Sequence, residues 1–236
     1  MLRERRLHGE GAASALHSLK GLQVNYSLPP GHTPTREEGW HVDSFRQPLG
    51  HEQPGDPEPG GTWDIACRLV RDYQFPEPGI LRALYRRDDA LLGRNILLEG
   101  HFLGLRFDMG VRITSVTDEL RGTGDSAERV WGWGYRTLDG HLEEGELHYQ
   151  VIKYPHTGAV EFLITGYSRR AAISNLVVRA GFILFGRMTQ RRFYRASAAR
   201  LHSLTRAELL GAPPDEPQPS PAGDSLVVVP GTAGTA

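Results

Sequence analysis

Strict alternation of apolar and polar residues indicates that the middle of the chain forms β-strands. Over residues 106–114 every second position is apolar, which is the pattern of a strand with one buried face. The buried side of this strand would carry Phe107, Met109, Val111 and Ile113. Weaker patterns of the same kind predict strands at residues 40–46, 95–105, 130–138, 146–153 and 159–168. Because short turns separate the later strands, we expect an antiparallel meander without a βαβ core.

Apolar residues at helical spacing predict four helices around these strands. An N-terminal helix is expected over residues 3–20, and Thr62 is expected to cap a helix over residues 63–73. A further helix is expected over residues 80–92 and a long closing helix over residues 171–204. The closing helix carries apolar residues at helical spacing, namely Ile173, Leu176, Val177, Ala180 and Leu184. These elements predict an α+β fold in which a curved sheet wraps around the last helix.

The distribution of proline suggests one folded domain with two extensions. Residues 1–20 are interpreted as an N-terminal extension and residues 21–207 as the domain, which is large enough for one hydrophobic core. Residues 208–236 are rich in proline and glycine and predict a disordered tail. The tail has one apolar stretch, Leu226–Val229, which we expect to be frayed rather than docked on a partner.

Composition and charge exclude several classes of site. The 236-residue chain has a formal net charge of −1, so it has no bulk attraction for nucleic acid or anionic lipid. A single cysteine, Cys67, excludes an internal disulfide, a Cys-based zinc site and an iron–sulfur cluster. No secretory signal is recognisable, and the most apolar stretch, residues 173–185, is too short to span a membrane. We therefore expect a cytoplasmic protein without a cofactor.

Residues 135–146 carry the most distinctive motif of the chain, Tyr-Arg-Thr-Leu-Asp-Gly-His-Leu-Glu-Glu-Gly-Glu. This stretch resembles the T-L-x-G-H-x-E-x-G-E signature of a bacterial and plant family named domain of unknown function 1990. Weaker similarity extends over residues 21–204, although Arg169 and Arg170 stand where family members usually have a proline. The resemblance implies a helix-grip, START-like fold with a cavity between the sheet and the C-terminal helix. It implies no reaction.

The strand over residues 130–138 supplies the candidate ligand site. Trp131 and Trp133 share one face, while Gly132 and Gly134 leave the other face without side chains. Either the glycines open a pocket that the indoles line, or they let the sheet coil while the aromatic rings fill the core. The candidate ligand-binding residues are Trp131, Trp133, Arg136, Tyr149 and Tyr167. Arg136 is the candidate partner of a carboxylate or phosphate on the ligand.

An enzyme acting on a hydrophobic small molecule is the first alternative. His141 lies close in sequence to Glu143 and Glu146, and an imidazole beside a carboxylate can act as a general acid or base. The turn pair Asp139-Gly140 favours a loop in which His141 satisfies backbone groups instead. No metal site is expected, because the histidines lie on separate segments, namely His101, His141 and His148.

The second alternative is an interaction protein. Nine arginines and no acidic residue lie between Arg169 and Arg206. Acidic residues elsewhere in the fold could neutralise them, or the helix could lie on an anionic membrane. The candidate residues for peripheral membrane contact are Arg187, Arg191, Arg192 and Arg195. Nucleic-acid binding is not expected, because no recognised binding module is present.

Together these patterns favour a non-enzymatic protein that binds a small apolar or amphipathic ligand. Its oligomeric state is not predicted by the sequence.

Overall fold

The computed structural model describes residues 7, 10–102, 105–171, 176–223 and 225–231. Its helices are α1 (Glu10–Ser18), α2 (Thr62–Arg71) and α3 (Leu176–Leu209). Its strands are β1 (His41–His51), β2 (Leu81–Arg86), β3 (Asn95–Phe102), β4 (Leu105–Arg121), β5 (Glu128–Thr137), β6 (Glu143–Lys153), β7 (Ala159–Arg170), β8 (Gln218–Pro219) and β9 (Leu226–Val229). Parts of the predicted terminal helices lie outside the described residues, at positions 1–6, 8–9 and 172–175.

All of these strands form one curved antiparallel sheet in the order β1-β7-β6-β5-β4-β3-β2-β9-β8. The chain therefore runs as a meander from β2 to β7, and β1 is added beside β7. The α3 helix packs onto the sheet through Phe193, Tyr194, Ala198 and Leu201. This architecture confirms the predicted α+β helix-grip fold.

The sheet buries apolar side chains on both of its faces. We call the face that carries α2 and α3 the inner face, and the face that carries α1 the outer face. On the outer face, Leu16 and Leu19 pack against Leu84, Leu97 and Leu138. Each fully buried leucine of this kind contributes about 1.5–3 kcal/mol relative to an exposed one. The short N-terminal helix is thus held by the sheet and not by its own helical propensity.

The predicted helix over residues 80–92 is wrong, because this stretch contains β2. Leu81, Ala83 and Tyr85 belong to the inner cluster, whereas Leu84 belongs to the outer one. Leu84 lies on the same side as Arg82 and Arg86, so it breaks the apolar–polar alternation, and a run this short cannot be told from a buried helix by periodicity. The other predicted strands are present, although β1 continues to His51, into the stretch expected to be a loop.

The prediction of a disordered tail is wrong for residues 218–219 and 226–229. The β9 strand pairs with β2 and with β8, so it covers an edge of the sheet that would otherwise be open. Its side chains enter both clusters, with Val227 and Val229 inside and Leu226 and Val228 outside. None of the four is more than 4% exposed. The β8 and β9 segments of the tail are therefore part of the folded domain.

The length and the apolar character of a helix decide whether it can cross a membrane. Within the described residues, none of the helices combines the length and the apolar character that a membrane crossing requires.

A substitution in β9 tests whether the tail is part of the core. We expect Leu226→Ala to lower the free energy of unfolding by about 3 kcal/mol, because Leu226 is only 1% exposed. Urea denaturation followed by circular dichroism measures this change. Leu210→Ala is the matched control, since Leu210 is 78% exposed and its loss should change stability by less than about 0.5 kcal/mol. Equal stability of the two variants would contradict the docked tail.

Candidate functional site

Aromatic rings fill the half of the inner face that lies under α2. Trp133 and Tyr149 are neighbours on β5 and β6, with ring centroids 5.1 Å apart. Phe75, from the segment after α2, packs against Tyr149 at 4.7 Å and against Phe162 of β7 at 5.3 Å. None of these four rings is more than 1% exposed. This half of the interior is packed with side chains.

The two predicted tryptophans attach α2 to the sheet. The indole Nε1 of Trp133 donates a hydrogen bond to the backbone oxygen of Val70, at 3.0 Å. The guanidinium of Arg71 lies 5.1 Å from the ring centroid of Trp131. Both tryptophans therefore contact the end of α2, and Trp133 has no exposed ring surface to offer a ligand.

The other half of the inner face, beside α3, keeps a small accessible surface. Tyr135 and Leu147 are each 9% exposed, Phe193 of α3 is 8% exposed, and Met109 is half-buried. All four side chains belong to the inner cluster or pack against it. Apolar surface that remains accessible between a sheet and a helix is the usual setting of a small-molecule site.

Polar contacts close one end of this half. The guanidinium of Arg187 on α3 forms a two-point ion pair with the carboxylate of Asp43 on β1. The Arg187 side chain also donates to Oε1 of Gln190 at 2.8 Å, and Gln190 Nε2 donates to Ser168 Oγ of β7 at 3.1 Å. These contacts fasten α3 to β1 and β7. No local sequence pattern links Asp43 to this site, because 144 residues separate it from Arg187.

The predicted catalytic histidine is engaged by the backbone. Nδ1 of His141 lies 2.9 Å from the backbone nitrogen and 3.0 Å from the backbone oxygen of Glu143, so backbone groups engage this ring nitrogen. Burial lowers the pKa of His141 to about 4, despite an opposing backbone hydrogen bond to Glu143. His141 is therefore neutral at pH 7, and its low pKa makes it a poor general base near neutrality.

Glu143 is the candidate whose charge changes near neutral pH. It begins β6 and shares the inner face with Leu147 and Tyr149, because residues two apart on a strand point the same way. Burial raises the pKa of Glu143 to about 7, although the nearby positive charge of Arg187 opposes this shift. A protonated carboxyl group at this position can donate a hydrogen bond into the inner face.

Three predicted site residues lie together on the outer face. Glu146 Oε2 accepts hydrogen bonds from the hydroxyl of Tyr167 at 2.6 Å and from Nε of Arg136 at 2.8 Å. Its Oε1 lies 2.8 Å from Nε2 of His148. Although burial opposes it, hydrogen bonds from His148 and Tyr167 lower the pKa of Glu146 to about 2. The hydroxyl of Tyr26 joins the group at 3.3 Å, so the cluster holds the N-terminal segment.

The predicted site is therefore divided between two faces. Arg136 and Tyr167 cannot line a cavity beneath α3, and their assignment to such a site is wrong. Trp131, Trp133 and Tyr149 lie on the inner face, as their alternation indicates. Leu147 and Phe193 were missed because an ordinary apolar residue in a strand or helix carries no sequence signal of its exposure.

The glycines of β5 do not open a pocket. Gly132 and Gly134 alternate with the tryptophans and so point to the outer face. A Cβ on Gly132 would collide with the backbone of Tyr149, and one on Gly134 would collide with the ring of His148. Close approach of β6 therefore requires both glycines, which supports the interpretation that they allow the sheet to coil.

Comparisons with known proteins bear on family and fold. The family model described as "Domain of unknown function (DUF1990)" matches residues 24–200. No curated protein sequence matches the chain. Among solved structures, Ara h 8.0201 is similar at a TM-score of 0.39 and 9% identity, covering 70% of this chain and 99% of that one. A point mutant of norcoclaurine synthase from Thalictrum flavum, in complex with a transition-state analogue, is similar at a TM-score of 0.43 and 10% identity. The match covers 72% of this chain and 98% of that one.

A pH titration of stability tests the state of Glu143. Its pKa is raised from 4.5 to about 7 in the folded protein, so this group stabilises the fold fully below pH 4.5. That stability is lost as the pH rises through about 7. As the pH rises from 4.5 to about 8, the free energy of unfolding of the Glu143→Gln variant should increase relative to that of the parent protein. We expect this difference to reach on the order of 2 kcal/mol. Urea denaturation across this range measures the gain.

The neighbouring Glu144→Gln is the control for that titration. Glu144 points to the outer face, where its carboxylate accepts a hydrogen bond from Nε of Arg169 at 2.7 Å. Its replacement removes that ion pair and should produce no gain at high pH. The assignment fails if the Glu143→Gln variant loses stability as the pH rises, or if its stability follows that of the parent protein at every pH.

Proposed function

The chain belongs to the DUF1990 family, and we propose that it binds a small, largely apolar ligand on the inner face of the sheet, beneath α3, without transforming it. The observation that carries this proposal is the small surface that Tyr135, Leu147 and Phe193 keep accessible on the inner face, at 9%, 9% and 8% exposure. Met109 extends that surface toward β4. An apolar ligand gains about 25 cal/mol for each Å² of apolar surface that it buries there.

The polar groups at this end favour a ligand with a hydroxyl or carbonyl group. Glu143 is protonated below about pH 7 and can then donate a hydrogen bond. Burial raises the pKa of the Tyr135 hydroxyl, which stays protonated and can also donate. Arg187 is already paired with Asp43, so a ligand carboxylate would have to displace Asp43. An oxygen acceptor on an apolar body fits these groups better than a free anion.

Tyr149 has a supporting role in this proposal. Its hydroxyl lies 3.5 Å from that of Tyr73 and also interacts with the hydroxyl of Tyr135. Because Tyr149 and Tyr73 are almost fully buried, they hold the orientation of Tyr135 from behind and do not meet the ligand.

Paired variants on the two faces test the site with Nile red, an uncharged apolar probe. We expect Leu147→Trp to fill the space beneath α3 and to weaken Nile red binding at least tenfold. Leu163→Trp is the control, because Leu163 is 7% exposed but belongs to the outer-face cluster with Val130 and Ile152. Fluorescence titration measures the affinities, and circular dichroism shows whether each variant is folded.

Tyrosine variants keep the test decisive if a tryptophan variant does not fold. Tyr135→Phe should weaken the binding of a long-chain alcohol several-fold. The affinity for the alcohol is measured by its displacement of bound Nile red. Tyr167→Phe removes a hydroxyl from the outer face and should leave this affinity unchanged. The proposal is wrong if inner-face and outer-face variants behave alike, or if the parent protein takes up no probe and native mass spectrometry shows no retained molecule.

A further inference from the structure

One face of α3 points away from the sheet between Met188 and Leu210. Residues at intervals of three and four along a helix share a face, so this face runs for about 33 Å. Its exposed arginines are Arg191, Arg192, Arg195 and Arg206, which we call the arginine stripe. Phe193, Tyr194 and Leu201 lie on the opposite side of the helix and are buried.

The arginine stripe has no ionic partner in the part of the chain that the structure describes. Arg187 is paired with Asp43, and Arg200 lies 3.1 Å from the carboxylate of Asp215. The single acidic residue of α3, Glu208, is only 17% exposed and is paired with Arg68. Intramolecular neutralisation, which the sequence left open, therefore accounts for Arg169, Arg187 and Arg200 but not for the stripe.

Exposed apolar side chains flank the stripe at its two ends. Six large apolar side chains among the described residues are strongly exposed, and three of these are Met188, Leu209 and Leu210, at 62%, 46% and 78%. Four cations and three apolar side chains on one exposed helix face form the pattern of a helix that lies in a lipid interface. A phosphate backbone would be bound by the arginines but would leave the apolar side chains in water.

We propose that the arginine stripe, with Met188, Leu209 and Leu210, docks the protein on an anionic lipid surface. The helix lies parallel to the membrane, since its opposite side is fixed to the sheet. The net charge of −1 does not oppose docking, because attraction at a charged surface acts within a Debye length of about 8–10 Å. Each arginine near an anionic surface strengthens partitioning about fivefold. Arg187 is excluded from the surface by its pairing with Asp43, in contrast to the prediction from sequence.

Flotation with vesicles tests the proposal on the full chain. Vesicles of phosphatidylcholine with phosphatidylserine should bind the protein at low salt and release it at high salt, and phosphatidylcholine vesicles should not bind it. The triple variant Arg191→Gln, Arg192→Gln, Arg195→Gln should bind about a hundredfold more weakly. The control triple variant Arg36→Gln, Arg87→Gln, Arg121→Gln removes the same charge from exposed positions outside α3 and should bind like the parent protein.

A second pair of measurements separates a lipid surface from other polyanions. The double variant Met188→Ser, Leu210→Ser should weaken vesicle binding several-fold without changing its salt dependence, because it removes apolar contacts alone. Unchanged vesicle binding by this variant overturns the proposal, as does equal loss in the two triple variants. Tighter, stripe-dependent binding to a DNA duplex or to polyuridine than to vesicles, measured by fluorescence anisotropy, also overturns it. Nile red binding reports on the inner face separately, so failure of one proposal is distinguishable from failure of the other.

Discussion

The close pairing of β5 with β6 fixes which side chains can meet beneath α3. Successive side chains of a strand point to opposite faces, so Trp131 and Trp133 face inward while Gly132 and Gly134 face outward. The outward glycines let the backbones approach, and the inward rings then pack under α2 through Trp133 and Tyr149. This packing fills one half of the interior. Tyr135, Leu147 and Phe193, in the other half, keep a small accessible surface.

Strands with one polar face were predictable, and strands without one were not. The alternation of Phe107, Met109, Val111 and Ile113 correctly predicted β4, because one side of that strand meets solvent or polar groups. The β9 strand is apolar on both sides, and Leu84 adds an apolar residue to the outer side of β2, where α1 covers it. For Leu226–Val229 the obstacle was also distance along the chain, because its partner β2 lies more than 130 residues earlier. A local pattern cannot indicate an edge that a distant segment completes.

The family signature proves to be largely architectural. The hydroxyl of Thr137 accepts a hydrogen bond from the backbone N–H of Gly145 at 2.9 Å, which closes the hairpin between β5 and β6. Nδ1 of His141 contacts the backbone of Glu143, and Glu146 accepts a hydrogen bond from the Tyr167 hydroxyl on the outer face. Residue types that resemble an acid–base cluster in sequence thus serve three separate structural contacts. Of the carboxylates in the motif, Glu143 is the one that reaches the inner face, and its burial follows from α3, which the motif does not contain.

The two faces of α3 have different chemistry, and this constrains how a ligand would enter. On the inner side, Arg187 and Gln190 fasten the helix to Asp43 and Ser168, at the polar end of the accessible half. A ligand that passes between helix and sheet at this end must separate these contacts. On the outer side, the arginine stripe holds a positive charge that no described residue neutralises. Because Arg187 stays paired with Asp43 and is not part of the stripe, docking through the stripe leaves this end of the ligand site closed.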